Sequence, residues 1–401
     1  MALLHRVAAC GRPFISRSSR LLQQRCQTVA AAASNIDVAL QAQPPPAWSS
    51  SQESAVRRTI VEQLQERLLN TGLDFFKDED VHKNELQALW YKEWVFAGHD
   101  SELPKTGSYL ALQVGAYPIV IVRGRDKKIR AFHNICRHRG FKICDDGNGV
   151  VMRRLMCPYH QWTYDLDGKL AFARDFGAKD DGFDKADYSL KPVALEAADG
   201  HLFVCVSDVP KPFEPLRDHF ETNYLAPFDL KSSKVAYQSR RILQCNWKMV
   251  WTSTPEEGHG AVALANGGMV TTAPDYQHRF MNVTKTGSLS ENESIMDHIV
   301  WQHYPNTWGS FKTNHAISCR LLPISATQTE LTIKWLVPGD AEEGKDYSLQ
   351  ELTGVQREED LQQDAVDLAH NGPEHGDAAL FVDWYSTSMV NVLQAEVNIA
   401  T

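Results

Sequence analysis

The stretch from 134 to 168 constrains this chain most; it begins NICRHRGF and ends CPYHQWTYDLDG. It holds one Cys-x-His pair and one Cys-x-x-His pair, formed by Cys136, His138, Cys157 and His160. Gly140, Pro158 and the turn Asp165-Leu166-Asp167-Gly168 are of the kind found at hairpin tips. We therefore expect two loops that face each other across one metal group.

Each loop supplies one thiolate and one imidazole. This set fits a [2Fe–2S] cluster of the Rieske kind, in which two Cys hold one iron and two His hold the other. The imidazoles raise the reduction potential, so such a cluster accepts electrons from a low-potential flavin or ferredoxin donor. A structural zinc is the alternative, since mixed Cys and His quartets also bind Zn²⁺. Zinc motifs usually pair like ligands, and the pairing here favours the cluster.

Length and charge limit the other possibilities. A chain of 401 residues is long enough for two domains. The net charge of −9 argues against a nucleic acid partner. No apolar run approaches the roughly 20 residues of a membrane helix, so we expect no membrane span. The remaining cysteines follow no spacing framework, and we expect them to be reduced and without function: Cys10, Cys26, Cys144, Cys205, Cys245 and Cys319.

The first 36 residues differ from the rest of the chain. They contain five Arg, many Ser and Ala, and no Asp, Glu or Lys. This composition is typical of a transit peptide rather than a secretory signal; a disordered tail is the alternative. We expect import into the mitochondrial matrix, with a plastid as the alternative destination.

The pattern along the chain predicts an α+β fold with a β-rich Rieske domain followed by a second domain of strands and a few helices. The expected divisions are a transit peptide at 1–36, a linker and helix at 37–77, a Rieske domain with a flanking helix at 78–208, and the second domain at 209–401. Predicted strands are 109–113, 118–122, 129–133, 201–206, 233–243, 312–320 and 329–338. Predicted helices are 53–69, 80–94, one from Asn246, and 349–370.

The motifs ALWYKEWVFAGH, LPKTGSY, FHNICRHRG, CPYHQWTY, NWKMVW and FVDWY carry a family resemblance. Over residues 78–390 the chain resembles the oxygenase (α) component of Rieske non-haem iron oxygenases. It is most similar to the group that acts on quaternary amines such as choline, glycine betaine and carnitine.

The resemblance implies a catalytic domain with a curved antiparallel sheet around a helix. It also implies a mononuclear Fe(II) held by two His and one carboxylate, the facial triad used with O₂. An acidic residue would bridge the cluster of one subunit to the iron of its neighbour in a head-to-tail homotrimer. The implied partners are a separate NAD(P)H-dependent reductase or ferredoxin and a small quaternary-amine substrate.

The family's iron helix reads NWKxxxENxxExYHxxxxH, and this chain departs from it. Residues 246–264 read NWKMVWTSTPEEGHGAVAL. Glu256 matches the bridging acid and His259 the first iron ligand, but Leu264 stands where the second His belongs. Thr252-Ser253 replaces the Glu-Asn pair, Gly258 replaces the Tyr, and Asp360 matches the third ligand.

Leucine has no lone pair, so His259 and Asp360 alone would form a weak iron site. Substitute ligands open on composition are Glu257, His278, His370 and His375. The segment also reads as an ordinary helix start, since Thr254-Pro255-Glu256-Glu257 provides an N-cap, a Pro at the first helical position and a capping-box Glu.

Two hypotheses remain open. The first is a catalytic Rieske monooxygenase that hydroxylates or demethylates a small quaternary amine, with an O₂-activating iron site that is impaired. The second is a non-catalytic electron-transfer or structural subunit in a hetero-oligomer with an active paralogue. Three tryptophans could line a cage for a trimethylammonium group by cation–π attraction, with core packing as the alternative: Trp247, Trp251 and Trp384.

Overall fold

The computed structural model describes residues 62–65, 74–174, 176, 182–223, 229–252, 270–272, 278–284, 296–312, 314–353, 381–382 and 384–390. The expected transit peptide and the linker that follows it lie outside the described residues, as do Cys10 and Cys26. Among the helices of the described ranges, none is long and apolar enough to cross a membrane.

Short helices precede the first sheet: α1 at Asp74–Lys77 and α2 at Glu79–Glu85, followed by a π-helical turn at Leu86–Trp90. The side chain of Asp78 caps α2 by accepting hydrogen bonds from the backbone N–H groups of Asp80 and Val81. The helix predicted at 80–94 is therefore present but ends earlier. Leu89 and Trp90 are fully buried.

Seven antiparallel strands form the first sheet, in the order β1-β10-β9-β4-β3-β2-β5. Their bounds are β1 Val95–His99, β2 Ser108–Val114, β3 Tyr117–Arg123, β4 Ile129–His133, β5 Gly147–Val150, β9 Pro192–Ala198 and β10 His201–Cys205. Runs of Val, Ile and Leu fill β2 and β3, whose side chains are largely buried. The four strands predicted in this half of the chain are thereby confirmed within one or two residues.

A smaller antiparallel sheet carries the second ligand loop. It consists of β6 Leu155–Met156, β7 Thr163–Tyr164 and β8 Leu170–Phe172. The predicted turn joins β7 to β8, where the N–H of Gly168 donates to the carbonyl of Asp165 at 2.9 Å. Gly168 has a φ of 88°, and a Cβ there would lie 2.4 Å from the Phe132 ring. Glycine is therefore required at this turn.

The second half of the chain builds another seven-stranded antiparallel sheet, in the order β11-β17-β16-β15-β14-β13-β12. The strands are β11 Lys234–Leu243, β12 Val270–Thr272, β13 His278–Thr284, β14 Met296–His303, β15 Thr307–Lys312, β16 Ala316–Ser325 and β17 Gln328–Val337. The helices are α3 Glu214–Asn223, α4 Trp247–Thr252 and α5 Leu349–Thr353, with further helical residues at 381–382 and 384–390. This sheet is curled, as the family resemblance implies.

Several predicted elements of this half agree with the structure. The strands at 233–243 and 329–338 correspond to β11 and β17, and the helix from Asn246 corresponds to α4. The strand predicted at 312–320 is misplaced, since β15 ends at Lys312 and β16 begins at Ala316. The helix predicted at 349–370 begins as expected, but its part beyond Thr353 lies outside the described residues.

One hydrophobic core joins the two large sheets. It includes Val95 and Leu110 of the first sheet together with Leu321 of the second. Buried polar contacts hold the same junction. The amide of Asn306 accepts a hydrogen bond from the N–H of Phe96 and donates to its carbonyl, both at 2.9 Å. A side chain thus completes the pairing of a strand backbone.

Two buried histidines lie at this junction. The Nε2 atom of His201 is 2.8 Å from the hydroxyl of Ser318 on the second sheet. Burial lowers the pKa of His99 to about 4 and holds the pKa of His201 well below its ordinary value. Both imidazoles are therefore neutral near pH 7 and pack as uncharged rings between the sheets.

Candidate iron–sulfur centre

The first ligand loop follows β4 and is closed by Asn134, which is fully buried. Its side-chain oxygen accepts from the N–H of Cys144 at 2.9 Å, and its amide donates to the carbonyl of the same residue at 2.7 Å. Within the loop, the N–H of Cys136 donates to the carbonyl of Phe141 at 2.8 Å. These bonds fix the position of the Cys136 thiol.

The second loop repeats the geometry of the first. The N–H of Cys157 donates to the carbonyl of Trp162 at 2.8 Å, five residues on, as Cys136 does to Phe141. Four residues after each cysteine, an N–H returns to the cysteine carbonyl from a residue with positive φ: Gly140 at 72° and Gln161 at 61°. The sequence marks the first of these positions by its glycine but gives no sign of the second.

The four predicted ligands come together as two pairs. Cys136 and Cys157 are 2% and 1% exposed, and the rings of His138 and His160 lie 4.7 Å apart between centroids. Each of the two facing loops supplies one Cys and one His, which is the arrangement that two irons and two sulfides require.

The protonation of these side chains also suits a cluster. Burial lowers the pKa of His138, with the neighbouring His160 and Arg139 acting in the same direction, so the ring is neutral as a metal ligand must be. Its buried Nδ1 atom has no hydrogen-bond partner among the described residues. Burial raises the pKa of the Cys136 thiol, and the positive charge of a bound iron would act in the opposite direction by stabilising the thiolate. The site fits a Rieske cluster.

Tyr164 reaches the ligands from β7 and is fully buried. Its hydroxyl accepts the N–H of Arg137 at 2.9 Å and lies 3.3 Å from the Sγ atom of Cys136. Because the backbone already donates to this oxygen, the hydroxyl hydrogen is free to point at the sulfur. Burial raises the pKa of Tyr164, and the hydrogen bond with Cys136 raises it further, so the phenol keeps its proton.

Aromatic rings surround the imidazoles. Trp162 is 1% exposed and stacks on His138 at 4.9 Å with an interplanar angle of 8°. On the outer side, Tyr159 lies 3.7 Å from the His160 ring and 5.4 Å from Phe141, and both outer rings are about half exposed. The loop tips therefore present an apolar surface beside partly exposed ligands.

The charge around the cluster is opposite to that of the whole chain. Residues 123–174 contain twelve Lys or Arg and five Asp, a net charge of +7 in a chain of net charge −9. Three of these aspartates form ion pairs with basic residues of their own turns: Asp126 with Arg130, Asp146 with Lys142, and Asp167 with Lys169. Arg139 is exposed and follows His138 directly. The surface around the ligands is basic.

The remaining cysteines of the described ranges are free and buried: Cys144, Cys205, Cys245 and Cys319. Burial raises the pKa of Cys144 and Cys319 to about 12, and that of Cys205 and Cys245 to about 11. Protonated buried thiols are unreactive.

The predicted iron site does not fall within the described ranges. Glu256, His259, Leu264 and Asp360 lie outside them, as do Glu257, His370 and His375. Of the substitute ligands only His278 belongs to a described element, where its backbone begins β13 and pairs with His303 of β14.

The three tryptophans considered for a cation cage are core residues. Trp247, Trp251 and Trp384 are 0%, 4% and 3% exposed and belong to one hydrophobic cluster. The cation near Trp247 is the chain's own Lys248, whose Nζ lies 5.7 Å from the ring centroid. The indole of Trp251 donates to the carbonyl of Pro305 at 2.8 Å. Core packing is thus the role these contacts show.

Comparison with known proteins agrees with the geometry of the loops. The family model described as "Rieske [2Fe-2S] domain" matches residues 93–178. The chain is 33% identical over 412 aligned residues to the glycine betaine monooxygenase oxygenase subunit of Chromohalobacter salexigens, covering 86% of this chain and 91% of that protein. The chain belongs to the Rieske non-haem iron oxygenase family.

Within this Rieske oxygenase family, the chain belongs with the quaternary-amine group. It is 34% identical over 177 residues to the carnitine monooxygenase oxygenase subunit of Acinetobacter baumannii, 44% of this chain and 47% of that one. A solved quaternary ammonium Rieske monooxygenase in complex with gamma-butyrobetaine shares the fold, with a TM-score of 0.62 at 23% identity over 83% of this chain and 98% of that one. The α+β class and the Rieske [2Fe–2S] cofactor of this chain follow from these likenesses.

Proposed function

We propose that this protein is a Rieske oxidoreductase of the quaternary-amine oxygenase type whose O₂-activating iron site is impaired. Its cluster would take electrons from a separate NAD(P)H-dependent reductase or ferredoxin. The observation that carries the proposal is the contrast between two parts of the chain. The cluster loops keep all four ligands and the hydrogen bonds that fix them, whereas Leu264 stands at an iron-ligand position.

The chain's residues prepare the cluster site in three ways. Cys136 and Cys157 would hold one iron, and His138 and His160 the other, while the closed loops set the ligands in place before metal binds. The buried phenol of Tyr164 would donate to the Cys136 sulfur. Trp162 shields the inner face of His138 from water. When bound, the cluster supplies one-electron transfer.

The mononuclear iron does not fit its donor set. Only His259 and Asp360 remain of the three protein ligands, and two ligands bind Fe(II) weakly. Glu256 keeps the position of the acid that would bridge the two centres. We therefore assign no step of a reaction to this iron.

A second candidate function rests on the same residues. With Leu264, Gly258 and Thr252-Ser253 all departing from the family pattern, the chain could retain electron transfer alone. It would then be a non-catalytic electron-transfer or structural subunit in a hetero-oligomer whose active paralogue supplies the iron. Co-purification of an intact oxygenase chain would support this candidate, and recovery of homotrimers alone would weaken it.

The location proposed for this protein is the mitochondrial matrix, with a plastid as the alternative. The support is the Arg-rich and acid-free composition of residues 1–36. A fusion of these residues to a reporter tests the proposal. Uptake by isolated mitochondria with removal of the leader supports it, whereas exclusion from mitochondria contradicts it.

An electron-transfer and turnover assay tests the proposed function. The purified protein is mixed with NADH and the reductase of a glycine betaine monooxygenase, then supplied with O₂ and glycine betaine, carnitine or choline. We expect the visible absorbance of the cluster to bleach and recover while no amine is consumed. Stoichiometric oxidation of an amine would contradict the impaired iron site. A cluster that the reductase never reduces would contradict the proposed role as an electron acceptor.

A further inference from the structure

A small cleft lies between the two large sheets, and none of the four cluster ligands lines it. Its volume is about 50 Å³. The first sheet contributes residues 110–113 of β2 and 146–148 at the start of β5. The second sheet contributes Arg240, Arg320, Glu330 and Lys334, together with Gln238. The first-sheet side mixes apolar and polar residues, whereas the second-sheet side is mostly charged.

Strand register explains why the charges gather there. Glu330, Thr332 and Lys334 alternate along β17 and so share one face of the sheet. Arg320 on β16 and Arg240 on β11 both pair with Thr332 from opposite sides, which places their side chains on that same face. This face of the second sheet points towards β2.

The charged groups of the cleft do not balance. Both oxygens of Glu330 are engaged: Oε2 by the guanidinium of Arg240 at 2.5 and 2.9 Å, and Oε1 by Arg320 at 3.0 Å. One carboxylate thus serves two arginines. Lys334 is paired with Glu102 at 2.5 Å. At the rim, Asp146 is already paired with Lys142 at 2.7 Å. One positive charge remains in excess.

Arg320 also has an unused donor. Its side chain is 7% exposed, and its remaining nitrogens donate to the carbonyl of Ala97 and to Glu330 and Thr332. Its buried Nε atom has no hydrogen-bond partner among the described residues. A buried donor without an acceptor is costly, and more so when it is charged.

We propose that this cleft binds one small monovalent inorganic anion, such as a halide or bicarbonate. Such an ion would accept from the Arg320 Nε atom and compensate the excess charge of the two arginines. A single water needs roughly 10–15 Å³ of such volume, so the cleft has room for an ion with a water or two. Water alone would satisfy the donor but leave the charge.

The position of the site gives the anion a structural effect. Arg320 reaches across to the carbonyl of Ala97 in β1, and Lys334 reaches across to Glu102, which accepts from Asn148 of β5 at 3.1 Å. An anion between these side chains would strengthen the contact between the first and the second seven-stranded sheets. This inference goes beyond the proposed function and does not depend on the iron site.

The test uses Arg240→Gln in the full, cluster-loaded chain. The Arg240 side chain is 50% exposed, so the variant should fold, and it removes the excess charge while Arg320 keeps Glu330 paired. Arg130→Gln is the matched control. Arg130 also binds a carboxylate through two nitrogens, at 2.9 and 2.7 Å to Asp126, but it lies beside the β3–β4 turn and does not line the cleft.

Thermal denaturation midpoints are measured while sodium bromide or sodium bicarbonate replaces sodium gluconate at constant ionic strength. Wild type and Arg130→Gln should gain stability with a saturating dependence on one of the anions, and Arg240→Gln should lose that dependence. A bromide response indicates a halide site, and a response to bicarbonate alone indicates an oxyanion site. Equal responses in all three proteins, or none to either anion, would overturn the proposal. Crystals soaked in bromide should show an anomalous peak beside Arg320 if the halide binds.

Discussion

At the scale of single residues, Tyr164 connects the protein most directly to the cluster ligands. Its hydroxyl is held by the N–H of Arg137 and directed at the sulfur of Cys136. A hydrogen bond to a cluster sulfur stabilises the reduced state, which carries more negative charge, and so raises the reduction potential. We therefore expect the Tyr164 phenol to raise the reduction potential of the cluster.

We expect Tyr164→Phe to lower the reduction potential of the cluster by about 20–60 mV. The range follows from a net hydrogen-bond contribution of about 0.5–1.5 kcal/mol for a one-electron couple. An EPR-monitored redox titration measures it. Tyr188→Phe is the control, because Tyr188 packs against the same hydrophobic core and its ring centroid lies 5.6 Å from that of Trp162. Equal potentials in wild type and Tyr164→Phe would show that the hydroxyl does not donate to the sulfur.

At the scale of elements, the two ligand loops form matching turns from different residues. Gln161 adopts a φ of 61° where the first loop has Gly140 at 72°. The left-handed region costs a residue with a Cβ roughly 1 kcal/mol. The hydrogen bond from the Gln161 N–H to the carbonyl of Cys157, at 3.0 Å, closes the loop and offsets this conformational cost.

Exchanging the residue types of positions 140 and 161 tests the cost of the left-handed backbone conformation in each loop. Gln161→Gly should stabilise its loop by about 0.5–1 kcal/mol, and Gly140→Gln should destabilise the other by about 1 kcal/mol. A Cβ at Gly140 would meet no atom within 4 Å, so the backbone alone sets the cost. The rate at which cluster absorbance is lost on heating reports both changes. If cluster absorbance were lost more slowly in Gly140→Gln than in wild type, the expected destabilisation by a Cβ at this position would be wrong.

A buried ion pair joins three helical elements. Glu85 of α2 lies 2.6 Å from the Nζ atom of Lys248 on α4, and both side chains are fully buried. The same carboxylate accepts from the hydroxyl of Tyr385 at 2.6 Å and the indole of Trp247 at 3.0 Å. The pair anchors α4, which ends at Thr252, four residues before Glu256 in the sequence.

Removing one charge of this pair should cost much more than removing both. Lys248→Met leaves a buried carboxylate without a countercharge, and we expect a loss of about 3–5 kcal/mol in the free energy of unfolding. The double variant Glu85→Gln with Lys248→Met keeps the Tyr385 and Trp247 donors and should recover part of that loss. Urea denaturation of the wild type, Lys248→Met, Glu85→Gln and the double variant gives the coupling energy between the two side chains. Strictly additive costs would contradict a coupled pair.

At the scale of the whole molecule, charge separates the cluster region from the rest. Residues 123–174 are basic in an acidic chain, and Arg139 lies exposed next to a ligand histidine. Complementary charge accelerates association between proteins, and salt removes the acceleration. The surface around the ligands therefore favours an acidic electron donor.

We expect the rate of cluster reduction by a reduced, acidic [2Fe–2S] ferredoxin to fall about tenfold or more between low and high salt. Arg139→Glu should slow the reaction at low salt. Lys345→Glu, which changes an exposed residue of the second half, should leave it unchanged. Stopped-flow absorbance measures the rates, with photoreduced deazaflavin as an uncharged reductant for comparison. A rate that does not depend on salt would argue against an acidic donor.

Part of this architecture could be predicted from the sequence because its signals are local. The cluster ligands lie within two short loops, and β2, β3 and β4 are apolar runs bounded by turn residues. The sequence pattern does not reveal the strands β12 to β15, because sequences such as MDHIVWQH in β14 mix polar and apolar residues without a clear period. The charged face of β17 could not be predicted, because it depends on strand partners distant in sequence. The positive φ of Gln161 could not be predicted either, because it follows from the closure of its loop.

Iron and acid-labile sulfide per chain, measured on anaerobically purified protein, test the central claim most directly. We expect two irons and two sulfides per chain, with the EPR spectrum of a Rieske cluster after dithionite reduction and no further iron retained after Fe(II) is added and removed by desalting. Leu264→His, which restores the missing ligand, should retain a third iron under the same treatment. Three irons in the wild-type chain would contradict the impaired site, and fewer than two sulfides would contradict the cluster itself.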